Sequence, residues 1–151
     1  MNLGIYIETL SNHEQLEDAV NILNTSLENK SIKDGSIFYD GIGFNPFKTN
    51  CGMFNSTDLW NFNGTLITTS LGCLVTAKNI ANNIKLYYYH GLEQKQPKVL
   101  DLLLALNNCD ANIICNNEEN SKYIHRTTGK QALGISHKFN SILEIIGKQN
   151  G

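Results

Sequence analysis

The chain has 151 residues and a net charge of -2, with a pI near 6.0. That is the size of one domain, long enough to bury a core without disulfide or metal staples. No basic field exists to hold nucleic acid or an anionic membrane surface, and no apolar run approaches the roughly 20 residues of a membrane helix.

The N-terminal run Leu3-Gly4-Ile5-Tyr6-Ile7 ends at Glu8, too short and too acidic for a signal peptide, so a cytoplasmic location is expected. Asparagine, isoleucine and lysine are abundant and Arg126 is the only arginine, the mark of an AT-rich genome. In such a chain the sequons at Asn24, Asn29, Asn55 and Asn63 arise by chance. Cysteines 51, 73, 109 and 115 form no C-x-x-C, which points to reduced, structural thiols and to no metal site.

In chain order, Leu3 to Glu8 is a short apolar run and predicts a buried strand. Ser11-Asn12-His13-Glu14 fits a capping box, and Leu16, Ala19, Val20, Leu23 and Leu27 continue at helical spacing, predicting a helix over 12–29. Ser36 to Tyr39 is the second strand. From Asp40 to Asn63 no clean period survives; a short helix or strand is expected near Thr57 to Phe62, inside a long loop rich in aromatics. Thr65 to Thr69 is the next strand and Leu71 to Asn82 the next helix.

Leu86 to Tyr89 follows as a strand, Pro97 to Asn107 as a helix with proline in its first turn, and Ala111 to Cys115 as a strand. Glu118 to Thr128 predicts a helix closed by Gly129. Ala132 to Ser136 is a weak last strand and Phe139 to Ile146 a final helix. Strand and helix alternate throughout. The expected fold is a single α/β domain over 1–151, a Rossmann-like three-layer arrangement around a mainly parallel sheet of about six strands. The helix at Pro97 carries Val99, Leu100, Leu102, Leu103, Leu104 and Leu106 around most of its circumference. It is expected to be buried on several sides, by its own sheet or by another subunit.

In open parallel sheets, ligands bind beyond the carboxyl ends of the strands. This rule selects Glu8 and Thr9, Asp40, Thr69 and Ser70, His90 and Gly91, Asn116 and Asn117, and Ser136 and His137. Alternation sends Tyr88 to one face and Tyr87 and Tyr89 to the other, so the tyrosine run reads as sheet core, and His90 as the functional member beside it. Glu93, three residues on, could pair with His90 and raise its basicity. These two are the candidate catalytic residues; Thr9, Ser70, Gly91, Asn116 and Arg126 are the candidate ligand-binding residues. Arg126, with His125 and Lys122, could face an anionic ligand, though a solvated helix face explains the same residues more cheaply.

Three motifs fall short. Thr68-Thr69-Ser70-Leu71-Gly72 sits at a strand-to-helix turn, and Ser70, Asp110 and His137 follow the chain order of α/β-hydrolase triads, but Thr68 stands where a nucleophile elbow needs glycine. Gly41-Ile42-Gly43-Phe44 lacks the third glycine and the helix of a dinucleotide loop. The four histidines show no H-x-x-x-H spacing.

The stretch ANIICNNEENSKYIHRTTGKQALGISHKFN resembles the segment closing the N-terminal domain of two-domain GT-B glycosyltransferases. LGIYIETL is similar to their first strand, and DLWNFNGTLITTSLGCLVTAKNIANNIKLYYYHGLE resembles glycosyltransferase-like proteins of AT-rich phages. The likeness is one of pattern over nearly the whole chain. It implies that His90 and the strand tips near Thr9, Ser70 and Asn116 line the acceptor side of a cleft for a sugar or nucleotide-sugar ligand. In that family the donor is held mainly by a second domain, which would begin near Gly151. The resemblance therefore implies a protein that is not self-sufficient and completes its cleft with a partner chain or as a homodimer; no cofactor is expected. The alternative is a non-catalytic Rossmann-like module that binds a protein or small ligand.

Overall fold

A computed structural model describes residues 1–81, 83–91 and 97–150. Seven strands form one sheet in which every neighbouring pair is parallel. They are β1 (Asn2–Leu10), β2 (Asp34–Ile42), β3 (Gly52–Asn55), β4 (Asn63–Thr68), β5 (Asn83–His90), β6 (Asn112–Cys115) and β7 (Gly134–Ile135). The spatial order is β3-β2-β1-β4-β5-β6-β7. The chain winds outward from β1 in one direction, returns, and winds outward from β4 in the other. This is the doubly wound arrangement of a Rossmann-like domain, with its switch point between β1 and β4.

Two apolar layers sandwich the sheet. Helix α1 (Glu14–Glu28) and helix α5 (Ile142–Asn150) cover one face, where Leu16, Val20, Leu23, Ile142 and Ile146 pack on Ile5, Ile37 and Ile67. A 3₁₀ helix (Ser56–Asn61) with α2 (Leu71–Ile80), α3 (Val99–Asn108) and α4 (Glu118–Thr128) covers the other, where Leu59, Leu74, Leu102 and Ile124 meet Tyr6, Phe38 and Leu66. The β1-to-β2 helix and the helices after β4 lie on opposite faces, as right-handed crossovers in opposite directions require. Gly4 lets the centre close: a Cβ there would stand 3.0 Å from Leu66 Cδ1 and from Phe62 Cζ.

Tyr87, Tyr88 and Tyr89 are all buried, and alternation divides them, Tyr87 and Tyr89 to the α1 side and Tyr88 to the α2 side. Helix α4 begins and ends where its caps dictate. Asn117 accepts from Asn120 N–H at 2.8 Å, and Gly129 adopts φ 76° as a left-handed C′ residue.

Four local expectations change. The sheet gains β3, an exposed four-residue edge strand held by β2 pairing and by Phe54 packing on Phe38 (centroids 5.9 Å apart); too short and too exposed to alternate, it leaves no period in the sequence. Helix α1 is capped by His13 rather than Ser11. The His13 Nδ1 accepts from Leu16 N–H (3.2 Å), while its Nε2–H donates to the Thr9 carbonyl (2.8 Å). Helix α5 starts at Ile142, because the chain first makes a 3₁₀ turn with Lys138 (φ 50°) and Phe139 (φ 66°) left-handed. Helix α3 is buried on one side only: Leu102, Ala105 and Leu106 face the sheet, whereas Leu100 is 66% and Leu104 53% exposed. Its apolar circumference exceeds what the sheet can cover.

Candidate functional site

The tips of β1 and β4 meet at the switch point. There the Ser70 hydroxyl donates to Glu8 Oε1 at 2.8 Å, joining residues 62 positions apart. The same Ser70 oxygen accepts from Cys73 N–H at 3.1 Å and so caps α2. Ser70 is an N-cap residue because its backbone is extended (φ -146°, ψ 165°) as the chain turns from strand to helix. Beneath it, Thr69 Oγ1 donates to the Tyr6 carbonyl and Thr68 Oγ1 to the Tyr87 carbonyl, both at 2.9 Å. Three consecutive hydroxyl side chains thus lock the β4 tip to β1, β5 and α2, giving the switch point a rigid floor.

From this floor a cleft of about 700 Å³ runs between α2 and α3. Glu8 and Ser70 close its sheet end; Leu71, Val75, Leu104 and Ala105 give it apolar walls. Thr76, Asn79 and Asn108 supply uncharged polar groups, and among the described residues the charged lining is Glu8, Lys78 and Asp101. Apolar walls with a few converging polar groups are the composition of a small-ligand site.

The other described residues of the predicted set are not among those lining this cleft. Thr9 stands exposed at the β1 tip, its carbonyl held by His13. His90 is 2% exposed; its Nδ1 lies 2.9 Å from the Tyr88 hydroxyl and its ring stacks at 14° on Tyr123. Gly91 has φ 111°, and a Cβ on it would strike Asn120 and come within 2.9 Å of Asn116 Cβ. Asn116 Oδ1 accepts from Lys138 N–H (3.1 Å) and lies 3.0 Å from the Tyr89 hydroxyl, which donates to the Ser136 carbonyl. Burial pushes the Tyr89 hydroxyl up to about 12. Arg126 sits on the solvent side of α4 with Lys122 and His125, beside Glu118 and Glu119, around a separate depression of about 470 Å³. Glu93 lies outside the described residues.

Among the described members of the predicted set, Ser70 alone lines the cleft. Glu8 was marked as a strand tip but not singled out, and Lys78 and Asp101 were missed. Their meeting depends on β4 lying beside β1 and α3 beside α2, which no local pattern encodes. Among the described residues no group of three or more His, Cys, Asp and Glu could hold a metal ion, and no helix is long and apolar enough to cross a membrane. No family model, curated protein or solved structure matches the chain. Its architecture alone places it, as an α/β Rossmann-like domain.

Proposed function

We propose that the chain is a glycosyltransferase-like binding domain whose α2–α3 cleft takes a sugar or nucleotide sugar, with any transfer chemistry completed by a partner chain or a second copy. The observation that carries this reading is the Glu8–Ser70 pair at the switch point, standing at the head of the cleft. Sugars offer hydroxyls to carboxylates and amides and C–H faces to aliphatic side chains, and the lining provides both. Burial of His90 against Tyr88 and Tyr123 leaves it poorly placed as an acid or base. Binding is therefore favoured over self-sufficient catalysis.

A second reading, a non-catalytic module docking a protein, draws on Leu100, Leu104 and Val75, all substantially exposed. Thermal unfolding against a panel of sugars and nucleotide sugars separates the two. A ligand at a hundred times its dissociation constant adds about 2.7 kcal/mol of stability. The expected result is a melting shift with one sugar class that disappears in Val75→Trp, which fills the cleft from an exposed position. A flat panel on folded protein sinks the sugar reading and leaves the docking module.

A further inference from the structure

A helix N-terminus at a Rossmann switch point is where a ligand's phosphate ordinarily lies, held by amide N–H groups and by the positive end of the helix dipole. In this chain the place is taken. The Glu8 carboxylate reaches across from β1, accepts the Ser70 hydroxyl at 2.8 Å, and lies 3.6 Å from where a Cβ on Gly72 would stand. Cys73 N–H is spent on Ser70. The carboxylate is itself the anion at the start of α2, where no acidic residue from the helix's own first turn stands.

We infer that Glu8 is the specificity-determining residue of the cleft, filling the phosphate position with the chain's own carboxylate so that the cleft selects an uncharged, hydroxyl-bearing sugar over a phosphorylated one. This deepens the proposed function and rests on it for the identity of the ligand as a sugar. A phosphate brought to the α2 N-terminus would face a carboxylate already hydrogen-bonded there, and like charges at such range repel. A sugar hydroxyl, by contrast, can donate to the carboxylate while its C–H face rests on Val75 and Leu104.

Inorganic phosphate tests the exclusion without any knowledge of the sugar. Glu8→Gln keeps an oxygen to accept the Ser70 hydroxyl, so the cap and the fold persist while the charge goes. Titration of phosphate, followed by the amide resonances of Gly72 and Cys73, is expected to show at least tenfold tighter binding in Glu8→Gln than in the native chain. Asp101→Asn, which removes a charge from the far wall, is expected to leave those resonances as they are in the native protein. Equal phosphate binding by native and Glu8→Gln proteins overturns the inference. An equal gain in Asp101→Asn overturns it too, because the whole-cleft charge and not the placement of Glu8 would then decide. In parallel, a panel of methyl glycosides is expected to move the Val75 and Thr76 resonances. Its failure removes the sugar reading, while the phosphate comparison still decides whether Glu8 excludes anions.

Discussion

The carboxyl edge of the sheet has two halves, and they are put to different uses. At β1 and β4 the tip residues Glu8 and Ser70 face a cleft, bonded to each other with carboxylate surface to spare. At β5 and β6 the tip residues are consumed by the fold. His90 is wedged between tyrosines, Gly91 lets α4 approach, and Asn116 ties Tyr89 to the turn before α5. The same topological rule selects both halves, and what each tip residue is bonded to or packed against distinguishes a tip that faces the cleft from one that holds the sheet together.

The contrast is open to attack first at Gly91. Gly91→Ala forces a Cβ into Asn116 and Asn120 at a backbone angle that L residues rarely adopt. It is expected to destabilise the protein by about 3 kcal/mol, strain and overpacking adding together. Denaturant unfolding checks this; a loss below about 1 kcal/mol would mean the β5 tip has room to spare and is not structural.

Tyr89→Phe is the next test. It removes the hydroxyl that lies between Ser136 and Asn116, leaves the Ser136 carbonyl without that donor, and is expected to cost about 1.5 kcal/mol. It also carries a pH signature. The Tyr89 hydroxyl titrates near 10 when unfolded and about 12 in the fold, so above pH ~10 the unfolded chain releases its proton first. Stability from this group is complete below that pH and is lost as pH rises through the folded value. Melting curves between pH 9 and 11 should fall less steeply for Tyr89→Phe; an unchanged slope contradicts the buried placement.

On the cleft side the effects shrink. Ser70→Ala deletes the α2 cap and the Glu8 anchor, with an expected loss of about 1 kcal/mol, or about 2–4 °C in melting temperature for a domain of this length. Any sugar-induced shift should fall with it. A shift that survives would place the ligand away from the switch point. Smallest of all, Leu100→Ser on the outer side of α3 should stay within about 0.5 kcal/mol of the parent. A much larger loss, read by calorimetry, would mean that this leucine is covered by a second copy or another chain in solution.

What could be read from the sequence followed the range of the interaction that fixed it. The limits of α4 were legible because Asn117 and Gly129 act on the nearest turn of backbone. The division of Tyr87, Tyr88 and Tyr89 between two faces follows from strand geometry alone. The cap of α1 was misassigned to Ser11 because a capping box is a pattern of residue types, and His13 competes with it by using both ring nitrogens at once. The outward leucines of α3 were misplaced because hydrophobicity reports the wish for burial and not the area on offer. The pairing of Glu8 with Ser70 was beyond reach altogether, since it exists only once β4 has crossed back to the flank of β1.

That crossing sets a schedule for synthesis. At roughly 5–20 residues per second, β1 emerges several seconds before the strand that will cover its far edge. Until then β1 can pair only with β2, and its other row of amides and carbonyls is open to any passing strand. With its switch point between the first and fourth strands, the domain is expected to be most open to aggregation before β4 has been made.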